Sequence, residues 1–254
     1  MRHVLCLLVV LLLCACSQQE MIEKFASPQE QATAKGYIDR LRARDFGPIE
    51  SAADPSVRGP NLHATLTRMA DMIPAQEPTS VKLVGAQTNW MAGVTRVNLT
   101  YEYDFAGKWM VINVAVRENG GAKTIVGFNV YPESQSLESQ NRFTFSGKSA
   151  AQYLILAMAI VAVLLTFYSL VACVRTKLAG RKWPWIVFIL FGVGSVAVNW
   201  STGEWSIRVL FIQLFSASAI AQPYGPWIIS ASIPVGAIVF LIQRKKLRAS
   251  VAGS

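Results

Sequence analysis

Histidine, cysteine and, over the last hundred residues, acidic side chains are scarce, and each scarcity excludes something. The 254 residues hold two histidines, His3 and His63, and four cysteines. Cys6, Cys14 and Cys16 lie within the first sixteen residues, and Cys173 stands alone in an apolar run. With so few ligands of the usual kind, a metal site would have to be built from carboxylates alone. A P-loop, a GxGxxG turn and a Ser-His-Asp order are also missing. The sequence thus implies no cofactor and no metal.

The charge is unevenly placed. The formal net charge is +9, yet from Ser17 to Ser149 fourteen basic residues balance fourteen acidic ones. Arg2 adds one charge, and Glu204 and Arg208 cancel. The other eight (Arg175, Lys177, Arg181, Lys182, Arg244, Lys245, Lys246, Arg248) form two clusters beside apolar runs. That is the pattern of membrane topology, and it excludes a nucleic-acid footprint. A hydrophobic content of 52% is too high for an ordinary soluble domain, and the excess lies in residues 150–254.

Residues 1–15 have the build of a signal peptide: Arg2 and His3, the apolar run Val4 to Leu13, then small residues. Ten apolar residues are too few for a comfortable span of about 20. The sequence Leu13-Cys14-Ala15-Cys16 resembles the lipobox of bacterial lipoproteins. The resemblance implies cleavage before Cys16 and acylation of its thiol, while an ordinary signal peptide is the alternative. Cys6 and Cys14 then leave with the signal, and no pair remains for a disulfide. Residues 16–26 become a lipidated linker.

Three runs, 151–174, 183–200 and 227–242, are read as transmembrane helices, with Pro234 kinking the last. The clusters RTKLAGRK and QRKKLR place the C-terminus in the cytoplasm, and residues 16–150 outside it. Tyr153, Trp183, Trp185, Trp200 and Trp227 fall near span ends. The stretch 205–221 is apolar enough to cross, but crossing would export QRKKLR, so it is read as an interfacial or re-entrant helix before the turn QPYGP. Residues 150–254 are therefore expected to form an all-α membrane domain.

Residues 27–132 read as an exported α+β domain, followed by a linker over 133–149. Ser27-Pro28-Gln29-Glu30 is a capping box opening a helix with Ala34, Ile38 and Leu41 on one face. A second helix, about 60–73, aligns Leu62, Leu66, Met69 and Ile73. The period then changes to two: Val97, Leu99, Tyr101, Tyr103 and Phe105; then Met110, Ile112, Val114 and Val116; then Thr124, Val126, Phe128 and Val130. Ala106-Gly107 and Asn119-Gly120-Gly121 are hairpin turns, and Val81 to Trp90 adds a fourth strand.

Helices followed by an antiparallel meander, with the helix break RARDFGPI, resemble the nuclear-transport-factor-2-like fold over about residues 27–132. The resemblance implies a curved sheet wrapped on helices into a cone. Members include ketosteroid isomerase and dehydratases, and also non-enzymatic binding and assembly modules. Enzymes of the fold place an acid, His or tyrosine pairs inside the cone. Here Tyr101 and Tyr103 are the only titratable groups on the interior face, and the charged residues of these strands fall opposite. Asp39 follows the apolar position Ile38, and His63 reads as a surface or packing residue.

The expected function is a lipid-anchored membrane protein. Its exported domain is a non-enzymatic binding or assembly module with envelope protein partners, at the outer face of the cytoplasmic membrane. The alternatives are a small cone-pocket enzyme using Tyr101 or Tyr103 as proton donor on an apolar substrate, and a transporter or channel accessory subunit. Spans nearly free of polar residues beyond Asn199 speak against the last.

Overall fold

The computed structural model describes residues 22–178 and 180–252, with side chains to 247. The signal segment, the acylation candidate Cys16 and most of the 16–26 linker lie outside the described residues. The chain divides into two compact units, Met1–Ser139 and Gln140–Ser254.

The first unit is α+β. Helix α1 (Pro28–Arg42) begins as its sequence dictates: Ser27 Oγ accepts from the Glu30 N–H at 3.2 Å, and Glu30 Oε2 accepts from the Ser27 N–H at 2.6 Å. Arg44, at a positive φ of 57°, turns the chain into α2 (Phe46–Ala52), and α3 (Leu62–Met72) follows. Strands β1 (Ser80–Met91), β2 (Val94–Phe105), β3 (Lys108–Asn119) and β4 (Ala122–Glu133) form an antiparallel meander in sequence order. All three hairpins are two-residue turns: Ala92-Gly93, Ala106-Gly107 and Gly120-Gly121. Both residues of each pair have positive φ, the type I′ geometry that matches strand twist and favours glycine.

Ala34, Ile38, Leu41, Phe46, Ile49, Leu66 and Met69 from the helices are buried, as are Val97, Leu99, Tyr101, Tyr103, Phe105, Met110, Ile112 and Val114 from the sheet. The strand face expected for β2 is the buried one. For β4 the expected alternation fails partway. Ala115 pairs with Gly127 but Val116 pairs with Ile125, so Val126 is an extra, bulged residue. A one-residue insertion flips every side chain beyond it. Ile125 therefore takes the interior place assigned to Val126, and it also bridges Ala53 in parallel. A single helical turn, α4 (Leu137–Gln140), follows the sheet.

The second unit corrects the expectation of an all-α domain. The first run is a helix, α5 (Ala150–Arg175), and it is the one described helix long and apolar enough to cross a membrane. The runs 183–200, 205–221 and 227–242 are not helices over their lengths. They become the short helix α6 (Trp183–Ile189), strands β5 (Phe191–Asn199), β6 (Trp205–Leu214), β7 (Ala217–Ala221) and β8 (Trp227–Ile233), and helix α7 (Val235–Ala252). Pro234 precedes α7 and kinks nothing. The strands make an antiparallel sheet in the order β6-β5-β8-β7.

The reason lies in the residues between the apolar ones. Gly192 and Gly194 interrupt helix propensity, and Val193, Val196, Val198, Ile207, Val209, Ile212, Ile228, Ile229 and Ile233 are β-branched. Ser230 and Ser232 are two apart, a spacing that a strand keeps on one face.

One face of this sheet packs on the N-terminal half of α5, where Ile155 and Ala159 meet Val198, Trp200, Ile229 and Ala231. The C-terminal half packs on α6 and α7 through Ala172, Cys173, Ile189, Ala237 and Phe240. Gly236 is obligatory there, since a Cβ would sit 1.8 Å from the Phe188 carbonyl oxygen. The chain therefore runs along α5 repeatedly: up through α6 and β5, down β6, up β7, and down through β8 and α7.

Candidate functional site

The interior of the first unit is the place a substrate would occupy, and it is filled. Tyr101 is fully buried on β2, its hydroxyl donating to the Gln31 carbonyl at 3.4 Å, with Lys35 Nζ 5.5 Å from its ring centroid. Tyr103 stacks on Phe105 at 6.0 Å with the rings 12° apart. Burial pushes the Tyr101 phenol up to about 12. Burial, then the negative charges of Asp39 and an ionised Tyr101, raise Tyr103 as well. A proton donor works best with a pKa near the operating pH, and both phenols are held away from it. The residual space between α1 and the sheet is about 20 Å³, lined by Ala34, Leu99, Val114 and neighbours. That is room for about one water, and neither tyrosine lines it.

The other titratable candidates sit outside. Asp39 lies 3.9 Å from Arg42 on the exposed side of α1. His63 Nδ1 is 2.8 Å from Glu50 Oε1 and its ring packs edge-on against Phe46, over an open surface hollow. Among the described residues no group of three His, Cys, Asp or Glu side chains converges to hold a metal.

Two buried carboxylates were not anticipated from the sequence. Asp54 accepts from the Ser56 N–H at 3.0 Å, the Ser56 hydroxyl at 2.7 Å, the Thr124 hydroxyl at 3.0 Å, and the Arg117 guanidinium. These bonds hold its carboxyl down at about 2, with the Ser56 N–H the largest cause, against the opposing effect of burial. The group joins the end of α2 to β3 and β4, a structural latch with every acceptor engaged. Its signal was legible: in Asp54-Pro55-Ser56 an Asp precedes a serine two residues on, an Asx turn. Glu102 falls opposite the tyrosines, as alternation requires, yet it is buried there and accepts from the Leu137 N–H at 2.5 Å.

The second unit is differentiated along α5. At the N-terminal end Gln152 Nε2 donates to the Trp200 carbonyl at 2.8 Å, and Trp200 Nε1 donates to the Thr144 carbonyl at 2.8 Å. Phe143 stacks on the Trp200 ring at 5.1 Å. At the C-terminal end Lys182 Nζ donates to the Val174 carbonyl at 2.7 Å, and Arg244 Nε to Thr176 Oγ1 at 3.0 Å. Both basic clusters thus meet the same end of α5.

Between these ends the sheet face away from α5 carries a polar knot. Gln213 Nε2 donates to Ser218 Oγ at 3.0 Å and to Ser230 Oγ at 2.6 Å, and its Oε1 accepts from the Ser232 hydroxyl. Between α5 and the β5–β6 edge runs an apolar groove of about 830 Å³ with Arg208 at its wall. No protein-family model, no curated protein and no solved structure matches the chain.

Proposed function

We propose that the chain is an integral membrane protein, acylated at Cys16, whose α+β unit is a non-enzymatic binding or assembly module. The module stands at the outer face of the cytoplasmic membrane. The filled interior carries this reading: a catalyst needs a cavity with a reachable proton, and Tyr101 and Tyr103 are core residues with almost no free space beside them. The order of helices before a meander supports a nuclear-transport-factor-2-like module.

Helix α5 supports the membrane placement. Its 26 residues extend about 39 Å, longer than a hydrocarbon core of about 30 Å. Leu154, Val161, Leu164, Phe167, Tyr168 and Val174 all project from the second unit. Surfaces of that size and character call for lipid or protein cover. Aromatic residues at one end of α5 and basic residues at the other match an outer interface and a cytoplasmic one. The non-helical backbone of β5–β8 at membrane depth is compatible with a bilayer where neighbouring strands satisfy it.

On the α+β unit, Trp90 and Met91 at the tip of the first hairpin are 74% and 79% exposed, a pair suited to anchoring a partner. A photo-reactive residue in place of Trp90 in the full chain is expected to give one discrete adduct with an envelope protein. Illumination that yields no adduct, or a ladder of unrelated ones, would contradict the binding-module reading.

A further inference from the structure

We propose that the sheet face turned away from α5 docks an apolar transmembrane helix of another protein, whose acidic side chain near mid-membrane pairs with Arg208. The inference rests on the membrane placement above and gives one partner its chemistry.

An irregularity in β6 builds the site. Val193 pairs with Ile212 and Ser195 with Arg208, so Val209, Leu210 and Phe211 face Gly194 alone, itself at a φ of 68°. Residues three apart fall on opposite faces of a regular strand. The bulge instead brings Arg208 and Phe211 to one side, with the guanidinium 4.2 Å from the ring centroid. Both line a hollow of about 610 Å³ that reaches Gln213, Ser218 and Ser230. Its rim is apolar: Ile212 is 69% exposed and Ile220 63%. Leu210, in the bulge, is fully exposed.

Depth and charge decide the occupant. Ser195, opposite Arg208, precedes Asn199 by four residues, and Asn199 ends β5 at the aromatic end of α5. At about 3.3 Å per residue Arg208 lies about 13 Å below that end, near the middle of a hydrocarbon core of about 30 Å. A guanidinium stays protonated, and an uncompensated one at this depth is costly. From Gln140 to Ser254 there are eleven Lys or Arg and one acidic residue, Glu204. Arg208 has no carboxylate partner among the described residues, and Glu204, near the aromatic end, accepts from the Thr202 hydroxyl at 3.3 Å. A second copy inserted the same way up would bring another cation to this height and no acid. Lipid phosphates lie in the headgroup layer, well above it. A helix satisfies its own backbone in hydrocarbon, and it can carry an Asp or Glu to mid-membrane, where a carboxylate matches the guanidinium fork.

The test uses synthetic helices. Full-length protein is reconstituted in phosphatidylcholine vesicles with fluorescent polyleucine peptides of about 20 residues, long enough to span, whose central residue is glutamate, glutamine or leucine. The protein is captured in mild detergent and the retained peptide is counted. The expected result is about tenfold more glutamate peptide than either of the others, the gain from one charge-assisted contact. Arg208→Gln should lose that preference, and Arg208→Lys, which keeps the charge, should hold most of it. Ile220→Trp, at an exposed position on the hollow wall, should block the peptide with Arg208 intact. Equal retention of the three peptides, a preference that survives Arg208→Gln or vanishes in Arg208→Lys, or undiminished binding in Ile220→Trp would overturn the proposal. So would a stable dimer that keeps the glutamate peptide out, which would give the face to a second copy. Extraction by alkaline carbonate separates the two readings: a released protein sinks the membrane placement too, whereas a resistant one indifferent to glutamate sinks this inference alone.

Discussion

Asp54 ties three elements of the α+β unit together, and its protonation therefore reports on their union. Its folded pKa of about 2 lies below the ordinary 3.8, so ionisation stabilises the fold. That contribution is complete above pH 3.8 and is lost as the pH falls through about 2. Asp54→Asn keeps the shape but forfeits the ionic acceptor for Ser56, Thr124 and Arg117. The expected outcome is a lower denaturation midpoint at pH 7, with the wild-type advantage shrinking toward zero near pH 2. A constant difference between the two proteins across that range would show that the charge contributes nothing. Tyr101 and Tyr103 carry the opposite lesson: alternation alone located them on the interior face, whereas whether that interior was open depended on how α1 closes over it.

At the scale of elements the Gln213 knot explains how a greasy sheet acquires one arrangement. Gln213 on β6 reaches Ser218 on β7 and both Ser230 and Ser232 on β8, pinning strands that no ladder joins. Gln213→Leu leaves the Ser232 hydroxyl without its acceptor in an apolar setting, while Ser218 and Ser230 keep their mutual bond, at a cost of about 1–3 kcal/mol. The double variant Gln213→Leu, Ser232→Ala removes donor and acceptor together, keeps the Ser218–Ser230 bond, and is expected to recover most of that loss. Thermal unfolding of the full chain in detergent measures both, and a double variant less stable than the single one would refute the knot.

The same residues show why the second unit was misjudged from its sequence. Apolar content dominates a span count, and the runs 183–200, 205–221 and 227–242 satisfied it while their serines and glycines kept a period of two. Relative to α5, α6 and β5 run back toward its N-terminal end, and β8 and α7 toward its C-terminal end. Segment 205–221, read as an interfacial or re-entrant helix, is the pair β6 and β7, which starts and finishes beside the aromatic end of α5. In the α+β unit the helix caps, turns and meander were legible because capping and type I′ chemistry are local. The bulge at Val126 was not, since a bulge is set by what the strand must meet, here Ala53, and no local residue announces it.

Across the whole molecule the opposing distributions of charge and apolar surface define the account. The first unit, Met1–Ser139, sets thirteen basic residues against fourteen acidic ones, with ordinary α+β packing. The other carries eleven cations against a single acid, and the one long apolar helix among its described residues ends at the basic clusters. The central claim of the proposal is that the α+β unit is exported while the basic end of the second unit is cytoplasmic, and cysteine accessibility tests it directly. Lys108, at the exposed β2–β3 turn, and Lys246, exposed on α7, are each replaced by cysteine in the full chain. A membrane-impermeant maleimide is then added to spheroplasts before and after lysis. The expected result is labelling of Lys108→Cys in intact spheroplasts and of Lys246→Cys only after lysis. Labelling of both before lysis, or of Lys246→Cys alone, would contradict it.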